Sequence, residues 1–154
     1  FAVLVGAFPG ALPVLIGSSA HEPAALFSIT SWLLFGIQFV WQFPHFWSIA
    51  WVLHDDYLNA GFRLLPASDG KSKGSAFQIL FYTLLLFPVS LLPLVFTGSG
   101  WITGITASVG SVIFIGKSIR LYRFCSDKDA RSVMFWSFAY LPLILSGRMM
   151  DKAI

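Results

Sequence analysis

The segment WQFPHFWSIAWVLHDDYLNAGFRLLP, from Trp41 to Pro66, gathers most of the residues able to do chemistry. His45 stands inside an otherwise apolar run. Two adjacent aspartates, Asp55 and Asp56, follow where that run ends, with Asn59 one turn further on. Adjacent carboxylates beside an amide are hard oxygen donors suited to Mg2+. That ion keeps several waters and binds through one or two carboxylates plus substrate phosphates. Arg63, Lys71 and Lys73 come next within one short segment and supply cations for a diphosphate. A metal ion and cations around a departing diphosphate would stabilise it as an anion. Taken alone, an Asp-Asp pair at a helix end is commonly bland, and Asp69-Gly70 reads as turn chemistry. The pair gains weight from the run that precedes it.

Placed on a helix at 100° per residue, Gln38 and Asp56 fall about 20° from His45, and Val52 about 20° to the other side. Trp41, Gln42, Ser48 and Ser31 lie within about 60° of it. A polar face therefore leads from the middle of the run to Asp56, with Pro44 as a local distortion. Polar groups at membrane depth are costly, turn toward a cavity or the bundle interior, and mark functional sites. The competing reading of His45 is a side chain hydrogen-bonded to a neighbouring helix. For Gln38 and Gln42 it is interhelical glue.

The elements that must position these groups are membrane helices. Of the 154 residues 56% are hydrophobic, 17% aromatic and only 11% charged, whereas soluble chains carry about 25% charged residues. No Lys, Arg, Asp or Glu occurs in Phe1–His21, Pro23–His54, Gly74–Gly116 or Ser132–Gly147. A span needs about 20 apolar residues, so these runs predict four full spans plus a first helix interrupted by Pro9 and Pro13. Arg131 and Arg148 would snorkel from the ends of the shortest run. The expected helices are about Ala2–Gly17, Leu26–His54, Ala76–Phe96, Trp101–Leu121 and Ser132–Met149, an all-α polytopic transmembrane bundle. In the first, Gly6, Ala7, Gly10 and Ala11 would let a neighbour approach closely. The chain opens on Phe1 with no basic n-region or cleavage site, and is read as the C-terminal part of a larger protein. Its single Cys125 allows no internal disulfide.

Charge orients the bundle. The segments His54–Ser75 and Lys117–Arg131 hold Arg63, Lys71, Lys73, Lys117, Arg120, Arg123, Lys128 and Arg131, whereas the alternate connections hold none and the tail only Arg148 and Lys152. This positive-inside asymmetry puts Asp55 and Asp56 on the cytoplasmic side (the matrix side in a mitochondrion). Arg120, Arg123 and Arg131 read as topology anchors sooner than as phosphate ligands. Cations that flank spans do not form a nucleic-acid-binding stripe, so no nucleic-acid partner is expected.

The run Trp41–Pro66, preceded by VGAFPGALPVLIG and followed by QILFYTLLLFPVSLLP, closely resembles the heme O synthases, the protoheme IX farnesyltransferase family of the UbiA-type intramembrane prenyltransferases. The likeness covers nearly the whole chain and is strongest in the PHFW and DDYxxAG segments. It implies a bundle of nine spans, of which this chain would supply about the last five. It further implies transfer of farnesyl from farnesyl diphosphate to a vinyl group of heme B, yielding heme O and diphosphate. Family members hold Mg2+ and diphosphate with two acidic motifs. The second maps onto Asp56, with Asp55 at a position where relatives vary; the first, of NxxxDxxxD type, is absent here. His45 matches the histidine of the PHF motif, with Gln42, Trp41 and Gln38 beside it as acceptor-side candidates. The implied setting is a bacterial inner membrane, less readily a mitochondrial one, with heme A synthase or a heme-copper oxidase downstream. Two alternatives stand beside it: a UbiA-type enzyme acting on a quinone precursor or other aromatic, and a non-catalytic heme-binding subunit. The second of these leaves the aspartates without a task.

Overall fold

The computed structural model describes residues 2–98 and 100–153, which form helices and no strand. Six α-helices follow one another: α1 (Ala2–His21), α2 (Ile29–Val52), α3 (His54–Asn59), α4 (Lys73–Thr97), α5 (Trp101–Phe124) and α6 (Asp127–Ala153), with a 3-10 turn at Pro23–Phe27. Helix α2 is the hub, packing on α1, α4 and α6, while α4 packs on α5 and α5 on α6.

Among the described residues, three helices are long and apolar enough to cross a membrane: Lys73–Thr97, Trp101–Phe124 and Asp127–Asp151. A fourth apolar helix, Val5–Ala20, is shorter. The sequence led to four full spans, so one is lost by this measure. Helix α2 has the length, 24 residues, but Gln38, Gln42, Pro44, His45 and its hydroxyls dilute its hydropathy. Most of those groups face protein. Gln42, His45, Ser31 and Ser48 are all buried.

The bundle is built the way lipid demands. Its interior is rich in small and hydroxyl side chains, among them Ala7, Ala11, Ala50, Ala76, Ala107, Ser90, Ser111, Ser118 and Thr83, while Phe8, Phe77, Phe81, Val95, Val109 and Val112 stand exposed on its outside. Hydrocarbon gives apolar groups no reason to hide, so close backbone approach and interhelical hydrogen bonds decide what lies inside. Tyr140 is the clearest case. Its hydroxyl is 2.8 Å from both Ser90 Oγ and Ser111 Oγ, joining α4, α5 and α6.

Two expectations about helix boundaries need correction. Helix α1 runs unbroken through Pro9 and Pro13. The two prolines are four residues apart and both exposed, so the carbonyls they free lie on the outer side and the ladder beside Ala7 and Ala11 survives. Conversely, the predicted helix to His54 ends earlier. Leu53, at φ −99° and ψ 22°, separates α2 from the six-residue α3. Asp55 and Asp56 therefore open a new helix rather than extend the polar face of α2.

Local signals set the other ends. Ser28 and Ser72 cap α2 and α4, their hydroxyls accepting from Ser31 N at 3.2 Å and Ser75 N at 3.3 Å. Gly98 closes α4 in the left-handed region at φ 60°, where a glycine carries no steric penalty.

Candidate active site

The site begins with three residues from two helices. His45, on α2, places Nδ1 2.8 Å from the hydroxyl of Ser137 on α6. Trp41, one turn earlier, donates its indole N–H to the Ser137 carbonyl at 2.9 Å. The Trp41 and His45 rings stack at 4.3 Å and 15°. Phe46 and Phe138 meet the imidazole edge to face at 5.2 and 4.9 Å. Two members of the face anticipated from helical spacing, Trp41 and His45, thus dock on α6.

Gln42 turns toward α1. Its Nε2 donates to the Ala7 carbonyl at 3.2 Å, and its Oε1 is buried with no hydrogen-bond partner. The fit is close: a Cβ on Gly10 would lie 2.5 Å from that oxygen. Gln42 therefore behaves as the interhelical contact that was its competing reading. Gln38 is half-buried and takes no side-chain hydrogen bond within the described residues.

At the end of α2 the chemistry becomes ionic. Asp55 and Asp56 occupy the first turn of α3 and are exposed. Carboxylates there are favourable against the helix dipole whatever their function. Among the described residues neither carries an ion pair, and no group of three or more His, Cys, Asp or Glu side chains comes together. Two free carboxylates are nonetheless a fitting partial shell for Mg2+, which completes its coordination with phosphate and water.

The segment after α3 folds back beneath it. Gly61 turns the chain at φ 80°, and Gly70 turns it again at φ 71°, where a Cβ would sit 2.9 Å from the His54 ring. Ser75 holds this second turn, donating to the Gly70 carbonyl at 2.7 Å and accepting from Ala67 N at 3.3 Å. A cavity of about 220 Å³ opens between the two layers, lined by His54, Leu58, Arg63, Ala67, Ser68 and Asp69.

Of the three cations assigned to a diphosphate, only Arg63 lines that cavity. Lys71 lies 3.0 Å from Asp127 Oδ1 and 3.1 Å from Oδ2. Lys73 is exposed at the start of α4. Asp127 also accepts from the indole of Trp51 at 3.1 Å, so it ties the end of α2, the Lys71 segment and the start of α6 together. The two cation-rich connections consequently share one end of the bundle. Arg120 is paired with Asp129 at 3.3 Å.

Ser137, Phe138, Trp51, Asp127 and His54 were not singled out from the sequence. The signals they carried were faint. Asp127 follows Cys125, itself in the left-handed region at φ 47°, and reads as an ordinary acidic helix start. Ser137 is one hydroxyl among several in α6.

A helical bundle with apolar spans, a histidine set among aromatics, and acidic and basic side chains gathered at one end describes a class of polytopic membrane protein with a polar mouth. Residues 1–139 match the UbiA prenyltransferase family, and the chain belongs to it. It is an integral membrane protein. Among curated proteins it is similar to the protoheme IX farnesyltransferase of Cytophaga hutchinsonii, 44% identical over 98% of this chain and 52% of that protein. It is similar also to those of Flavobacterium psychrophilum, 42% identical over 97% and 50%, and Solibacter usitatus, 40% identical over 96% and 50%. The chain thus spans about half the length of the relatives it matches. No solved structure matches it.

Proposed function

We propose that the chain is the C-terminal half of a heme-directed farnesyltransferase. The whole protein would join farnesyl diphosphate, heme B and water to give heme O and diphosphate. The observation that carries this reading is the pairing of a buried histidine, framed by exposed aromatics, with unengaged carboxylates at the cation-rich end of the same helix hub. Similarity to proteins named protoheme IX farnesyltransferase over nearly the whole chain supports it.

In this reading the two substrates enter from different solvents. The diphosphate would stay at the polar mouth, where Asp55 and Asp56 would hold Mg2+ and Arg63 would meet the phosphate oxygens. The metal would supply Lewis-acid neutralisation of the leaving diphosphate. The farnesyl tail lies between spans. As the C1–O bond breaks, allylic charge builds on C1, and aromatic ring faces lining the mouth would attract it electrostatically. The vinyl carbon attacks C1, and water adds to the resulting cation with loss of a proton, leaving the hydroxyethyl group. Lys71 would first have to leave Asp127 to reach a phosphate. The charge asymmetry supports a mouth on the cytoplasmic side; the membrane would be a bacterial inner membrane, and heme A synthase or a heme-copper oxidase would take the product.

The test uses membranes containing the full-length protein, supplied with heme B, farnesyl diphosphate and Mg2+, with extracted hemes analysed by mass. Farnesylated heme is expected from the intact protein and none from a folded Asp56→Ala variant. Turnover by that variant would remove the metal assignment. No product from folded parent would move the acceptor to another aromatic.

A further inference from the structure

The hydrogen bonds around Ser137 determine which nitrogen of His45 carries the proton. The Ser137 hydroxyl contacts two groups, His45 Nδ1 and the carbonyl of Met134 one turn back on α6. A hydroxyl has one proton to give, and a carbonyl can only accept. The Ser137 proton therefore goes to Met134, and its oxygen is left to accept from Nδ1–H. A neutral imidazole with its proton on Nδ1 has a bare lone pair on Nε2.

That lone pair is free. No described residue bonds it. It is not sealed either, because the only buried side-chain N or O atom without a partner among the described residues is Gln42 Oε1. The ring around it is held on two sides. Trp41 stacks on one face, and its indole is anchored to the same Ser137 through the main-chain carbonyl. Phe46 and Phe138, 45% and 50% exposed, stand at the imidazole and turn apolar surface outward.

We propose that Ser137 is a positioning residue that presents His45 Nε2, unprotonated and oriented, as a nitrogen ligand to the iron of a metalloporphyrin acceptor. Histidines that bind metals usually donate their other ring N–H to an oxygen, which fixes the tautomer and raises ligand basicity. The Met134–Ser137–His45 chain has that form, with the flanking phenylalanines offering apolar surface to the macrocycle. The proposal rests on the heme-directed reading above and adds the group through which iron, rather than ring shape alone, is recognised.

The experiment compares two porphyrins in the full-length protein without farnesyl diphosphate, so no turnover is involved. Heme B and metal-free protoporphyrin IX are titrated into detergent-solubilised wild type, Ser137→Ala and Ser137→Thr. Affinity is followed optically, and the iron–histidine stretch of ferrous heme by resonance Raman. Ser137→Ala is expected to weaken heme B by about tenfold to hundredfold and to shift that stretch, while leaving protoporphyrin IX unchanged. Ser137→Thr, which keeps the hydroxyl, should restore both readouts. Equal loss for both porphyrins would mean that Ser137 only packs, and overturns the proposal. So would an unaltered heme spectrum in Ser137→Ala. The farnesyl assay separates the two readings. Ser137-dependent heme ligation without transfer would sink the enzyme reading alone, whereas transfer with a Ser137-independent heme spectrum would sink this one alone.

Discussion

Asp127 offers the sharpest test of what holds the mouth of the bundle together, because its two partners should differ in worth. Lys71 meets both its oxygens at 3.0–3.1 Å, yet the side chains are 24% and 55% exposed. Ion pairs so open to water contribute about 0.2–1 kcal/mol. The second partner, the Trp51 indole, belongs to a residue with no exposed surface. Leaving a buried N–H without an acceptor costs about 1–3 kcal/mol. The tryptophan contact should therefore dominate. Asp127→Ala is expected to destabilise the protein by about 1–3 kcal/mol and Lys71→Ala by less than about 1 kcal/mol. Asp127→Asn keeps an amide oxygen for Trp51 and should resemble Lys71→Ala. The assay is equilibrium unfolding of the purified full-length protein in mixed micelles, at low and high salt. Salt should shrink the Lys71 effect and leave most of the Asp127→Ala effect. Lys71→Ala as damaging as Asp127→Ala, or Asp127→Asn as damaging as Asp127→Ala, would refute the ranking.

Two further substitutions probe the bundle. Tyr140→Phe removes the hydroxyl that joins Ser90 and Ser111, and should cost about 1 kcal/mol in the same unfolding assay, since interhelical hydrogen bonds in membranes average near 0.6 and reach about 1.7 kcal/mol. The cost stays modest because both serines can bond carbonyls of their own helices, and a loss beyond about 3 kcal/mol would show a larger role for the cluster. Gly10→Ala drives a Cβ to within 2.5 Å of Gln42 Oε1; displacing that buried amide should cost about 1–3 kcal/mol, and an unchanged unfolding midpoint would show that α1 moves aside freely.

Much of the fold could be read because lipid imposes a strong grammar. A charged side chain interrupts a span conspicuously, so uncharged runs located α1, α4, α5 and α6 to within a few residues. Helix α2 was the harder element. The run Pro23–His54 was correctly read as apolar and uncharged, yet α2, with its proline, glutamines and histidine, is not among the described helices apolar enough to cross a membrane. Its end was misplaced for a different reason. Nothing in WVLHDD breaks a helix; the break at Leu53 is a tertiary event, in which His54 turns onto Gly70 while Trp51 binds Asp127.

The same distinction separates the parts of the site. Helical spacing is a local property, and it placed Trp41, Gln42 and His45 on faces buried against other helices. It could not say which partner each would meet. Gln42 finds α1, 35 residues away, and His45 finds Ser137, 92 residues away. Since the proton position on His45 depends on that distant hydroxyl, its chemistry was unreadable from the PHFW segment alone. The acidic pair was conspicuous in sequence but is sparsely supported in space, exposed and apart from the cavity that Arg63 lines. That contrast has a physical consequence. Neighbours can set a histidine's tautomer and direction before any metal arrives, and Ser137 and Trp41 hold His45 in that way. A Mg2+ site built with substrate phosphates need not be so held, because the ion would bring its own waters and take some of its ligands from the diphosphate. On the proposed reading, a fixed histidine and an open acidic mouth are compatible with one bundle, in which a porphyrin would find a prepared ligand and diphosphate would complete its own site.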